Sequence, residues 1–409
     1  MHTFARYARF LYHWHGLGAV KSGEPARGLA LDKLQGYVLP YSDLETRVLP
    51  ARIGDYQFGE LDHWCDVGTL GWQGHERLSV RDGSVSIYRP NEIPRLARIA
   101  GLLPGARYAP LRGFLVEQDR EFDSIRSALG GFPPQILANL WELVWAGEVS
   151  NRRLLPLLAN LSQGVGRARS GRRHRARQVA GPSRLDTLPG SAGAWYLVTG
   201  PRVGTVPPAE RDRALVEQLL QRWGIIGQPC MRAEGVSGGV SRLTPILDAM
   251  RNSGAVVEGV FVEGCGPTQF AATRTLDLLD RKDPELGPWV MAATDPANPY
   301  GKLVPWPKMS EPGQKPRWAA RAQVVLLNGV LAGYLSATGH DLITFQLPGG
   351  QNARSTHCAL IEALMGAARP GYPVLLRSVN GRTPESSPLA PSLRSRGFSA
   401  TRDGYIFRL

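Results

Sequence analysis

The chain has 409 residues, 43% of them hydrophobic and 20% charged, with a formal net charge of +13; this is the balance of a soluble globular protein, long enough for about two to four domains. No apolar run reaches the roughly 18 residues that a membrane span needs, and the first 16 residues lack the unbroken apolar stretch of a signal peptide, so a cytoplasmic protein with no membrane partner is expected. Cys65, Cys230, Cys265 and Cys358 are far apart and form no C-x-x-C pair, which supports neither a zinc site nor a disulfide framework; no metal and no cofactor is expected.

The first elements are helical. Residues 3–17 place Phe4, Tyr7, Ala8, Phe10, Leu11 and Trp14 at helical spacing before Gly16 and Gly18, and shorter helical pieces follow at 29–34 and 44–48. Leu61, Gly68 and Leu70 then give a helix that stops at a glycine and turns into a strand, because glycine supplies the left-handed position that closes a helix. Asp82-Gly83 between Leu78, Val80, Val85 and Ile87 predicts a hairpin turn. Residues 1–90 are thus expected to form a first winged-helix unit.

The same spacing returns twice, as Leu140, Gly147 and Val149 and as Leu247, Gly254 and Val256. In the second unit, 91–206, Phe122, Ile125 and Leu129 mark a helix that ends at Gly130-Gly131. Pro133 and Pro134 open the next, where a missing N–H costs little. Helix, glycine turn, helix is the pattern of a helix-turn-helix, with 140–153 at the end of the recognition helix. Beyond it, 149–185 holds nine arginines and no acid, so most of the excess charge sits in one place and points to a polyanionic partner. Residues 163–184 have no apolar period and read as a long wing or tether.

The third unit, 207–283, starts with a helix over 207–223 and closes with Thr244 capping a helix whose first residue is Pro245, followed by a strand and a helix over 269–279. From 284 onward the pattern is turn-rich and β-rich: Asn328-Gly329 and Asp403-Gly404 predict hairpins, 341–347 and 374–376 strands, and 354–367 and 389–394 helices. The fold class expected is α+β, tandem winged-helix domains followed by a β-rich, barrel-like module over 284–409.

At the level of chemistry, the arginine fork suits phosphate oxygens. The expected nucleic-acid contacts are Arg152, Arg153, Arg167, Arg169, Arg172, Arg173, Arg175 and Arg177, with Trp145 placed to stack on an unpaired base and Trp141 assigned to the core. His13 and His15 are two apart and face different sides of a helix, which argues against a shared metal.

Several phrases resemble the C-terminal region of the large helicase-related (Lhr) family: LDHWCDVGTLGWQG, LWELVWAGEVSN, AEGVSGGVSRLTPILDAMRNSGAVVEGVFVEG, CGPTQFA and ATDPANPYG followed by LVPWP. The resemblance implies tandem winged helices, a β-barrel-like module, oligomerisation, and a role in DNA repair beside a helicase motor. It also implies a fold shared with winged-helix DNA glycosylases, with uracil removal in some members. The chain has no G-x-x-x-x-G-K-[ST] and no acidic partner motif for ATP hydrolysis, so it is expected to lack a motor of its own. Because it begins with its own Met1, a free-standing or split version is expected. Where the family commonly has Trp-Gln, this chain has Trp14-His15.

The function expected is a DNA-binding repair module acting on single-stranded or branched DNA, forming a homo-oligomer and partnering a helicase subunit. The alternatives are a monofunctional DNA glycosylase acting on uracil and a scaffold that recruits a helicase. For a glycosylase, Gln269 is the candidate to read a base edge and Asp295 the candidate acid; the competing readings are a helix anchor for Gln269 and a turn former for Asp295.

Overall fold

The computed structural model describes all residues except 19–20, 80–81, 100, 155–156, 158–187, 199–205, 282–286, 348–352, 367–372 and 409. The arginine-rich segment, with Arg167, Arg169, Arg172, Arg173, Arg175 and Arg177, lies outside the described residues. The chain divides into two compact units, one of Met1–Lys33, Arg47–Gly54 and Val216–Leu409, the other of Leu34–Thr46 and Asp55–Leu215.

One small sheet topology occurs three times. Strands β1 (Leu39–Pro40), β2 (Gly71–Ser79) and β3 (Asp82–Tyr88) form the first; β4 (Arg120–Glu121), β5 (Val149–Asn151) and β6 (Ala194–Leu197) the second; β7 (Ile225–Gly227), β8 (Val257–Gly259) and β9 (Gln269–Ala271) the third. In each sheet the last strand lies between the other two, antiparallel to both. A helix precedes the second strand in sequence, β2, β5 or β8, in every case: Glu60–Asp66, Pro133–Trp145 and Gly239–Asn252. Each of these helices is followed by a glycine at positive φ, Gly68 (75°), Gly147 (78°) and Gly254 (75°). The three-fold spacing in the sequence is therefore a repeated backbone requirement, a left-handed residue that turns a helix into the first wing strand.

Asp82-Gly83 does not form the tip of the first hairpin. Ser79 pairs with Asp82, so both residues belong to β3. The Asp82 carboxylate accepts from the backbone N–H groups of Ser42 and Gly83, each at 3.0 Å. A Cβ on Gly83 would collide with the Trp145 ring, so the missing side chain serves close packing and not a turn. In the last part of the chain, Asn328 (φ 49°) and Gly329 (φ 85°) do make the expected two-residue turn.

The helix expected to begin at Pro245 begins instead at Gly239, with Pro245 inside it. Thr244, expected as its cap, is helical and donates its hydroxyl to the Val240 carbonyl at 3.2 Å. Pro245 is the seventh residue of the helix, beyond the first turn, so it removes the bond that an N–H there would give to the Ser241 carbonyl. Burial of Leu243 and Leu247 holds the extra turn in place.

Among the described residues the C-terminal part contains two open sheets and no closed barrel. β10 (Trp289–Ala292), β11 (Gln323–Leu327), β12 (Val330–Leu335), β13 (Asp341–Thr344) and, after β14 (Val374–Leu376), β15 (Ser378–Val379) build a five-stranded sheet in the order β10-β11-β12-β13-β15. β14 instead joins β16 (Ser399–Thr401) and β17 (Gly404–Phe407) in the order β14-β17-β16. The large sheet is apolar on both faces, since side chains alternate along each strand. Val324, Leu326 and Leu331 face a cluster that includes Ala8 of the helix Phe4–Trp14, whereas Val325, Leu335 and Leu342 face Leu360, Ile361 and Leu364 of the helix Ala353–Gly366.

Candidate nucleic-acid interface

The third winged-helix unit presents its recognition helix to solvent. The preceding helix, Gln228–Glu234, ends at Gly235, and Gly235, Gly238 and Gly239 all have positive φ (66°, 79° and 58°). These residues make the tight corner that L-side chains resist. Gln228 fixes the corner by accepting from the Val240 N–H at 3.2 Å. Along Gly239–Asn252, Leu243 and Leu247 are buried while Ser241, Arg242, Thr244, Pro245, Ala249 and Arg251 are exposed, and Arg232 on the preceding helix is exposed as well. Arg251 is paired with Asp248 (2.9 Å) and with Glu258. Guanidinium and hydroxyl groups on the open face of such a helix are the donors that phosphate and base edges accept. Sequence reasoning missed Arg232 and Arg242 because Pro245 looked like a helix start; the run GVSGGVSR was the signal available.

Gln269 builds the wing of this unit. It sits in β9, where a helix was expected, and it is fully buried. Its Oε1 accepts from Phe261 N (3.0 Å) and Val262 N (2.9 Å), and its Nε2 donates to Val262 O (2.8 Å) and Gly266 O (2.9 Å). All four capacities of the amide are thus used on the loop between β8 and β9.

The second recognition helix, Pro133–Trp145, is arranged differently. Trp141 stands 5.6 Å from Trp145 and 5.6 Å from Trp195, and its indole N–H donates to Gly190 O at 3.2 Å. Trp145 is half-buried, with its ring against Gly74 and Gly83 of the β2–β3 hairpin. Arg152 donates twice to Asp119, at 2.9 and 2.8 Å, and Arg153 reaches Asp62 at 3.0 Å and Asp66 at 3.4 Å. Arg152 therefore faces a carboxylate of its own winged-helix unit, and Arg153 faces two of the first.

Asp295 lies in a buried network elsewhere. Its two oxygens accept from the Arg52 guanidinium at 2.7 Å each, with both side chains 1% exposed, and Oδ1 also accepts from Ala297 N at 2.8 Å. Arg52 Nη2 lies 3.2 Å from His15 Nδ1, and His15 Nε2 lies 3.0 Å from the Arg222 carbonyl. A guanidinium only donates and a carbonyl only accepts, so these partners assign His15 as the neutral tautomer with the proton on Nε2. Burial, reinforced by Arg52, holds its pKa well below the usual histidine range. Next to it, Lys33 lies 3.4 Å over the Trp14 ring and donates to Gln221 O at 2.8 Å. Burial lowers the Lys33 pKa to about 7. Arg222 bonds Glu234, which also accepts from the Trp223 indole at 2.8 Å. A glutamine at position 15 would offer one acceptor and one donor, as this tautomer does. Among the described residues, no group of three His, Cys, Asp or Glu side chains is placed to hold a metal.

Repeated helix-turn-helix corners with antiparallel wings define the class, a winged-helix protein. Residues 3–90 and 205–289 match models of two winged-helix domains of the large helicase-related protein, and in these stretches the chain is similar to the C-terminal region of that family. A relative from Mycolicibacterium smegmatis, named Lhr helicase/probable uracil glycosylase, is 31% identical over 404 residues, which cover 92% of this chain and 26% of that protein. The Lhr helicase/uracil glycosylase of Escherichia coli is 29% identical over 444 residues, covering 97% of this chain and 28% of that protein. The chain thus spans about a quarter of the length of these relatives. The Streptomyces sahachiroi DNA glycosylase AlkZ has a similar fold, with a TM-score of 0.53 at 15% identity over 92% of this chain and 100% of that one. No helix among the described residues is long and apolar enough to cross a membrane.

Proposed function

We propose that this chain is a DNA-binding module of Lhr type that acts in DNA repair without an ATPase motor of its own, and that Gly239–Asn252 is its principal DNA-facing helix. The observation that carries this reading is the contrast between two helices of equivalent position. Gly239–Asn252 offers Ser241, Arg242 and Thr244 to solvent beside Arg232, whereas Pro133–Trp145 turns its tryptophans onto a neighbouring hairpin. Arg152 and Arg153 lie against the acids Asp119, Asp62 and Asp66; Arg167 to Arg177 remain in the proposal as phosphate contacts. The test is fluorescence anisotropy on labelled duplex and branched DNA. Arg232→Gln with Arg242→Gln should weaken binding roughly five- to tenfold, as removing two donors to phosphate or base edges implies. Unchanged affinity would remove this helix from the interface.

A second reading is uracil removal, favoured by the names of both relatives and by the likeness in fold to a DNA glycosylase. In this reading Asp295 and Gln269 act on the frame, Asp295 by holding Arg52 and Gln269 by holding the wing, and neither touches the base. Incubation with a uracil-containing oligonucleotide followed by alkali tests it directly; no strand scission above the buffer control ends it. Self-association and docking of a separate helicase chain belong to the same proposal, and light scattering of the purified protein alone and with a helicase core would test them.

A further inference from the structure

We propose that residues 302–321 form a second nucleic-acid surface, a basic and aromatic strap on the five-stranded sheet that takes single-stranded DNA. The inference rests on the reading of the chain as a DNA-binding module and adds to it a site and a substrate form.

The charge of the strap is one-sided. It carries Lys302, Lys308, Lys315, Arg317 and Arg321 against a single acid, Glu311. Glu311 is itself engaged by Arg382 at 3.2 Å. Lys308, Lys315, Arg317 and Arg321 are all at least partly exposed, so the positive field is offered to solvent.

The strap is also shaped. Ser310 N donates to Thr344 O and Gln346 N to Lys308 O, both at 2.9 Å, and Met309 pairs antiparallel with Phe345. This ties the middle of the strap beyond the end of β13. Pro305, Pro307, Pro312 and Pro316 fix φ along it and limit the entropy lost when a ligand binds. Trp306 lies 6.4 Å from Phe345 in a stacked arrangement and 5.6 Å from Tyr334 edge-on, and Tyr334 hydrogen-bonds the Arg317 backbone. Lys302 Nζ sits 4.1 Å over the Trp318 ring, and the Trp318 indole nitrogen is buried with no hydrogen-bond partner.

Five cations and two partly exposed indoles within the twenty residues 302–321 suit an unpaired strand, whose phosphates and base faces are both accessible. A duplex hides its base faces, so the aromatic half of the strap would go unused. The surface is also separate from Gly239–Asn252 in sequence, so each can be disabled alone.

Anisotropy with labelled oligo(dT) and with a duplex of equal length, on the full chain, separates the two sites. Replacing Lys308, Lys315, Arg317 and Arg321 together with Gln should weaken oligo(dT) binding about tenfold or more and reduce the salt slope by roughly 3, while duplex affinity changes less than about twofold. Trp318→Ala should weaken oligo(dT) binding about fivefold or more, and Trp318→Phe should restore most of it. Arg232→Gln with Arg242→Gln should show the opposite preference. Wild-type affinity of the four-residue variant for oligo(dT), or equal loss on both ligands, overturns the strap while leaving the helix proposal standing. Loss of duplex binding in none of the variants, with the strap effect intact, would instead overturn the helix.

Discussion

Removing the carboxylate of Asp295 should be among the most damaging single changes in this protein. Arg52 is almost fully buried, and the two 2.7 Å bonds to Asp295 are what compensate its charge. Its remaining contacts are neutral, the Val48 carbonyl at 3.0 Å and the His15 imidazole at 3.2 Å. Asp295→Ala leaves that guanidinium stranded, and breaking a buried pair from one side costs about 3–5 kcal/mol. Replacing both partners with apolar side chains, Arg52→Met with Asp295→Leu, removes the stranded charge and should recover much of the loss. His15 supplies an internal scale: His15→Gln keeps one acceptor toward Arg52 and one donor toward the Arg222 carbonyl and should cost less than about 1 kcal/mol, whereas His15→Leu abandons both and should cost about 1–3 kcal/mol. Urea denaturation followed by tryptophan fluorescence reads all four variants. An Asp295→Ala protein within about 1 kcal/mol of wild type, or a His15→Gln protein as unstable as His15→Leu, would refute the reasoning.

Other consequences follow from individual side chains. Gly83→Val should cost about 1–3 kcal/mol, because the new side chain must displace the Trp145 ring; a thermal melt with no shift would show that the ring yields freely. Burial pushes the His75 pKa down to about 3. Below about pH 6.5 the unfolded chain therefore takes up a proton that the folded chain refuses, and stability falls as the pH drops toward 3 by up to about 1.4 kcal/mol per unit. His75→Gln should flatten that slope relative to wild type, and an identical slope would count against it. Gln269→Ala should leave the Phe261, Val262 and Gly266 backbone groups without their partner and raise amide exchange in the loop between β8 and β9 by an order of magnitude or more, about 1–3 kcal/mol of lost protection; unchanged exchange would mean that the loop holds itself.

Much of the architecture was legible because it rests on local backbone chemistry. Leu140, Gly147 and Val149 and their two counterparts mark helix ends that only a positive-φ residue closes, and Asn328-Gly329 marks a turn that few other pairs make. The errors arose where tertiary packing gave a local signal another use. Asp82-Gly83 has the composition of a turn but pairs within β3, because the Asp82 carboxylate is taken by Ser42 and the space over Gly83 by Trp145. Pro245 has the composition of a helix start but lies inside a helix held by Leu243 and Leu247. Individual site residues were less legible still. Arginines 152 and 153 follow a recognition helix, yet their acids come from positions 119, 62 and 66, separations that no local pattern reveals. The His15, Arg52 and Asp295 network likewise joins residues up to 280 apart in number, and only the fold assembles it.

The proposed interface puts DNA on the third recognition helix and not on the second. The most direct measurement is the salt dependence of duplex binding for wild type, for Arg232→Gln with Arg242→Gln, and for Arg152→Gln with Arg153→Gln. The first variant should lower the slope by roughly 2, about 0.9 for each phosphate no longer neutralised, while the second should keep the wild-type slope. A slope lowered only by the changes at 152 and 153 would contradict it and return the interface to the helix Pro133–Trp145.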